Sequence, residues 1–363
     1  MTKQAILLTL ALLAAACGPQ RQVAKVEPLP APGQSAAEFP WPLRTREHVD
    51  LWLHAYALLQ RDTSQVPFFR RGYREELLAE RQRRNVRTEL DANLDRLAQR
   101  LAANPALVNG QFLPLYFASL ADLRTAVDAT LRAEGDPRLA PNPGLAQVVA
   151  LVAGSFPSAQ DRQWLDSFVK AVADEDAKFY RAYWNERQAA QAPALGKLDA
   201  LWRQVYYPKL RGFLNNTRQG LGDFVLSLPL DGEGRTVGGA NMLRAITVAF
   251  PPDTARAVEA IYVFAHEAVG EIANPAVTDN TTPAEQRSGA ASRWTPNAAV
   301  RGGEMLLQKV APELVDGYRR YYLRSAGKPT TGNVAATFTS TFDLPANIVS
   351  AIRTQIDVVM GGI

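Results

Sequence analysis

The stretch Ile261-Tyr262-Val263-Phe264-Ala265-His266-Glu267-Ala268-Val269-Gly270-Glu271-Ile272-Ala273-Asn274-Pro275 decides the fold. Together with Val258, its apolar positions Ile261, Ala265, Ala268, Val269 and Ile272 recur at helical spacing. A helix from about Asp253 to Ala273 with one buried face is therefore expected. Upstream, Asp223 to Leu230 and Ala245 to Phe250 have the make-up of two strands, with Pro251-Pro252 closing the second. Between them Asp231-Gly232-Glu233-Gly234 reads as a turn, and the glycines up to Gly239, not spaced as GxGxxG, read as a mobile hairpin loop.

On a helix, positions i and i+4 differ by only about 40° in direction, so a histidine at each can face one ion. His266 has Gly270 at i+4, which offers no side chain. Glu271, at i+5, points about 140° away and reaches a shared ion only if the helix opens near Gly270. Downstream, Arg301-Gly302-Gly303-Glu304-Met305-Leu306-Leu307 places Glu304 on a second apolar segment. Histidine is scarce, since His48, His54 and His266 are the only three.

From Gly222 to Leu323 these features resemble the zincin metallopeptidases, in particular the gluzincin branch, whose helix carries HExxH and whose third ligand is a later glutamate. The resemblance implies that the helix lies behind the edge of a small sheet and that a zinc ion is held by His266, Glu304 and either Glu271 or a distant His54. It implies that Glu267 is the catalytic general base, with Tyr318, Tyr321 or Tyr322 steadying an oxyanion. Gly270 in place of the second histidine is a departure, and a site of one imidazole and several carboxylates suits harder cations than zinc. The expected function is that of a membrane-anchored envelope protein with a zincin-like metallopeptidase domain whose altered site is either still hydrolytic or inactive, with a peptide or an envelope protein as partner; the alternative is a non-catalytic helical binding or scaffold protein.

The chain opens with Lys3 and an apolar run from Ala5 to Ala16, too short to span a bilayer, which needs about 20 residues. Leu13-Ala14-Ala15-Ala16-Cys17-Gly18 resembles the lipobox of bacterial lipoproteins. The resemblance implies cleavage after residue 16, lipid on Cys17 as the membrane anchor, and a place in the cell envelope, on the outer membrane facing the periplasm. Cys17 is the only cysteine in 363 residues, so it forms no internal disulfide. Residues 17–42 are proline-rich and read as a disordered tether, with the fold beginning near Trp41.

About 320 residues remain, enough for one large or two ordinary domains. The net charge of +4 is too small to point to nucleic acid. Residues 43–153 read as a helical domain and 154–363 as the zincin-like one. In the first, a short amphipathic helix carries Trp52, Tyr56 and Leu59, and a long one runs from Tyr73 towards Leu101. Arg70, Arg71, Arg74, Arg81, Arg83, Arg84 and Arg87 interleave there with Glu75, Glu76, Glu80 and Glu89, as on a solvated face laced with ion pairs. Ser158-Ala159-Gln160-Asp161 is a capping box opening a helix with Trp164, Phe168, Phe179 and Tyr183 on its core side. Asp174-Glu175-Asp176 reads as a solvated turn of that helix, and Leu344 to Met360 as a closing helix. The fold class expected is mainly α with a small sheet, α+β.

Overall fold

The structure is a computed structural model describing residues 39–60, 64–239 and 242–361. The leader, Cys17 and the tether as far as residue 38 lie outside the described residues. The chain is mainly helical around one four-stranded mixed sheet, the class expected. Trp41 is already fully buried and donates its indole N–H to the Gln219 carbonyl at 2.9 Å. The amides of Gly222 and Phe224 bond the carbonyls of Pro40 and Pro42, so the end of the expected tether is pinned to the sheet.

Strand β1 (Leu43–Thr45) leads into α1 (Glu47–Leu59), in which every residue after Glu47 is buried. A helix covered on all sides is a core element, not the amphipathic one expected. The long helix expected from Tyr73 is two, α2 (Tyr73–Arg83) and α3 (Glu89–Ala103). Asn85 at φ 52° breaks the run, and Thr88 with Asp91 forms a capping box that starts α3. Next come α4 (Leu120–Arg132) and α5 (Pro143–Ser155). Ser158 caps α6 (Ala159–Glu175) as its sequence indicates. That helix continues through widened π turns at Asp176–Tyr180 and Trp202–Tyr206 into α7 (Arg181–Leu201) and α8 (Tyr207–Asn216).

The sheet is made of β1, β2 (Gly222–Ser227), β3 (Arg235–Gly239) and β4 (Met242–Ala249) in the order β1-β2-β4-β3. β1, β2 and β4 run parallel, with Phe224 opposite Ile246, and β3 is antiparallel to β4. The expected first strand stops three residues early, before Pro229. Its continuation bends to meet residues 67–70, with Arg70 donating to the Pro229 carbonyl, Asp231 to Phe68 and Glu233 to Pro67. The expected mobile loop is therefore a pinned segment followed by β3.

Beyond the sheet lie α9 (Glu259–Ala268), α10 (Gly270–Asp279), α11 (Pro283–Arg287), α12 (Ala290–Val310), α13 (Val315–Ser325), α14 (Val334–Thr341) and α15 (Ala346–Val359). α9 and α10 replace the single helix expected from Asp253, which begins late because residues 253–258 form turns. The last helix falls where expected.

Alternate β2 and β4 side chains enter different cores, as a period of two requires. Phe224, Leu226, Ile246 and Val248 pack with Trp41, Trp202, α9 and the C-terminal helices. Val225 and Ala245 face α1, α3 and α6. The aromatic stripe of α6, with Phe179 and Tyr183, belongs to this second core, so it packs with the N-terminal helices and not with the segment that follows them.

Charge is buried in that core as well. Arg81, 2% exposed, pairs with Asp91 and with Glu175, and Glu175 is also hydrogen-bonded by His54 Nε2 at 3.0 Å and Thr88 at 2.6 Å. The expected solvated turn at Asp174-Glu175-Asp176 is thus buried at its last two residues, with Arg81 neutralising Glu175 and Arg181 pairing with Asp176.

Candidate cation site on the His266–Glu267 helix

α9 lies on the sheet with His266 in its last turn, 1% exposed and tilted against the Tyr322 ring at 5.4 Å between centroids. α12 comes close enough to seal this side because position 303 is glycine: a Cβ there would overlap the Tyr318 hydroxyl and stand 3.2 Å from His266 Cα. Tyr318 donates to the Val300 carbonyl at 2.8 Å and Tyr322 to the Gly232 carbonyl at 3.2 Å, so both phenols serve the packing of the site.

The pinned segment after β2 brings in a residue that the motif does not contain. Glu233 Oε2 is 3.4 Å from His266 Nε2, and Glu267 Oε1 is 3.6 Å from the same nitrogen. One donor atom from each of Glu233, His266 and Glu267 lies within 4.8 Å of the others. The other Glu267 oxygen accepts from Thr236 of β3 at 3.0 Å. Gly234 makes this approach feasible, since a Cβ would sit 2.7 Å from the Thr247 carbonyl and 2.8 Å from Glu267 Cγ.

The separations are informative. Charge-assisted hydrogen bonds run at about 2.7–2.9 Å, whereas donors sharing a tetrahedral ion at roughly 2.1 Å stand about 3.4 Å apart. The two separations from His266, 3.4 and 3.6 Å, are close to the second value, and the two carboxylates stand within 4.8 Å of each other. Electrostatics agree: burial opposes protonation of His266, but the carboxylates of Glu233 and Glu267 outweigh it and raise its pKa. Burial, reinforced by Glu233, likewise raises Glu267, against the lowering effects of His266, Thr236 and Arg235. His266 is buried between two partly exposed carboxylates, Glu267 at 11% and Glu233 at 33% side-chain exposure, an arrangement that favours positive charge at the imidazole or beside it. One feature is unlike well-built metal sites: His266 Nδ1 is buried without a partner, where ligating histidines normally donate to an oriented acceptor.

The other residues expected as ligands are elsewhere. Glu304 is 4% exposed and is held by Arg301 Nε at 3.2 Å and Arg319 Nε at 2.6 Å, which occupies the carboxylate and keeps it out of the trio. Glu271 is half exposed and bonds Arg244 at 2.6 Å on the sheet. The helix does break at Val269, but the break does not turn Glu271 towards His266. His54 is across the sheet, bonded to Tyr73 and Glu175. Nothing replaces the missing second histidine at Gly270, where a Cβ would meet only Asn274, at 3.8 Å. Glu233 went unforeseen because its position depends on the pairing with residues 67–70; its one local signal is an acid between two glycines.

Compared with protein-family models, with curated proteins and with solved structures, the chain matches none.

Proposed function

We propose that this chain is an exported, lipid-anchored envelope protein whose zincin-like C-terminal part binds a divalent cation through Glu233, His266 and Glu267 and engages a peptide or an envelope protein without hydrolysing it. The observation that carries the reading is the place of Glu267. A catalytic zinc site has three protein ligands, an open position and a separate base. Here Glu267 is needed as the third donor, so no carboxylate of the trio is left to activate water.

Two carboxylates and one imidazole suit zinc and, as well, harder ions such as manganese. The anchor rests on the pattern from Met1 to Gly18 and on the single cysteine, Cys17. Among the described residues no helix is long and apolar enough to cross a membrane.

The test is metal content after dialysis of the mature chain in detergent against zinc or manganese, for the parent and for Glu233→Gln and His266→Ala. The reading expects one equivalent in the parent and little in either variant. No metal in the parent overturns it, as would peptide hydrolysis that Glu267→Gln abolishes.

The second reading, a helical scaffold without a cation, draws on the unpartnered Nδ1 of His266. It expects the same metal-free outcome in all three proteins.

A further inference from the structure

A different concavity, of about 340 Å³, opens where β2 and β4 end at their carboxyl ends. Its floor is apolar and buried, built from Leu230, Phe250, Ala260 and Tyr321. Four arginines stand at its rim: Arg70 and Arg71 before α2, Arg256 before α9, and Arg324 near the end of α13. The volume is at the small end of the range for organic ligands, and parallel strands commonly place ligands at their carboxyl ends.

The charges do not cancel. Arg70 is matched by Glu76 at 2.9 Å. Arg256 and Arg324 share one carboxylate of the lining, Glu259, each at 2.7 Å, and Asp253, outside the lining, also acts on Arg256. Arg71 donates only to carbonyls, those of Ser64 at 3.3 Å, Gln65 at 3.5 Å and Ser325 at 3.2 Å, and has no carboxylate partner among the described residues. The one further acid in the lining, Asp231, accepts from the Ser325 hydroxyl at 3.3 Å and acts electrostatically on Arg71 and Arg324 without an ion-pair contact to either, so that four guanidiniums of the lining face two carboxylates, Glu259 and Asp231. Tyr321 presents a ring to the floor with Arg324 5.4 Å from its centroid.

We propose that this pocket binds a small amphipathic anion, its carboxylate or phosphate head between Arg71 and Arg324 and a ring-sized apolar body on Leu230, Phe250 and Tyr321. A guanidinium suits either head, because its planar fork matches paired oxygens. The pocket shares no residue with the Glu233–His266–Glu267 trio, and the inference does not rest on the cation reading.

Calorimetric titration of the mature, chelator-treated chain with phenyl phosphate tests it, with inorganic phosphate as the head alone and benzyl alcohol as the ring alone. Expected is saturable binding of one phenyl phosphate, at least about tenfold tighter than either fragment. R71M/R324M should weaken it by about tenfold or more, the scale of a lost hydrogen bond to a charged group. Arg138→Met, at an exposed arginine far along the chain, should leave it unchanged. R256M shifts affinity in the same direction as the double variant and carries the test if that variant does not fold. Absence of saturable binding at millimolar phenyl phosphate overturns the inference. So do equal binding by R71M/R324M and equal binding of benzyl alcohol.

Discussion

Glu233 Oε2 stands 3.4 Å from His266 Nε2, though the two residues belong to different elements and meet only because residues 229–233 pair with residues 67–70. The chemistry of α9 is therefore completed by a segment whose position is set from the other side of the sheet.

This arrangement separates three glutamates. Glu233→Gln is expected to lower cation affinity by well over the roughly 10–100-fold associated with a supporting partner, whereas Glu271→Gln leaves stoichiometry unchanged. Glu304→Gln should also retain the cation but lose about 1–3 kcal/mol of stability, because Arg301 and Arg319 lose a charged acceptor. Metal analysis and urea denaturation on the same samples check both halves. Cation loss in Glu304→Gln with Glu233→Gln unaffected would return the site to the resemblance-based ligand set.

Gly234→Ala removes no ligand yet should weaken cation binding. The added methyl would lie under 3 Å from both the Thr247 carbonyl and Glu267 Cγ, so Glu267 or the segment bearing Glu233 must move. Overpacking of this kind also costs about 1–3 kcal/mol. Affinity equal to the parent's, measured by competition with a coloured chelator, would show that the close approach is not needed.

Much of this was legible in particular residues. Ser158 and Asp161 announced α6, Pro251-Pro252 marked the end of β4, and the spacing around His266 gave the buried helix. Thr88 with Asp91 carries the same kind of cap, but the charge-dense run across it shows no loss of helical composition, and Asn85 takes up its positive φ without a glycine to mark it. β3 was hidden because Arg235–Gly239 is glycine-rich and becomes a strand only through its ladder to β4. Glu304 was placed on the right kind of helix, but its two arginine partners are set by tertiary packing that spacing does not reveal.

Stability should fall as the pH rises from acid towards neutral, and Asp50 is a source of the fall. Burial lifts its carboxyl from 3.8 to about 7, only partly offset by the nearby Ser227 hydroxyl and by hydrogen bonds from the Trp184 indole and the Leu228 amide. Between those two values the folded chain holds a proton that the unfolded chain has released, so stability declines as pH rises from about 4 to about 7 and then levels off. The effect is on the order of 4 kcal/mol at most. Urea denaturation of parent and Asp50→Asn at pH below and above this window should show a smaller pH difference in the variant. Identical pH dependence in the two would rule Asp50 out as its source.

Removing Arg81 should be severe. In Arg81→Met the fully buried Glu175 keeps His54 and Thr88 but loses its cation, and breaking a buried pair costs about 3–5 kcal/mol. Burial holds His54 below its ordinary pKa, so it does not readily substitute as a charge. A double variant, R81M with Glu175→Gln, should recover part of the loss, since the two residues share one interaction. Strictly additive losses in chemical denaturation would show that the pair is not coupled.

Strand β2 is buried along its whole length, with Phe224 and Leu226 turned to one core and Val225 to the other. It acts as a party wall, and neither side of the molecule owns it. Stripping away the helices on one side would expose the wall's bare face, so a half-length fragment is expected to aggregate, and the intact chain to melt in one step. The same wall makes the two sides mutually informative: a substitution among α1, α3 and α6 that shifts Val225 is felt at Phe224, and through it at Phe264, two residues from His266.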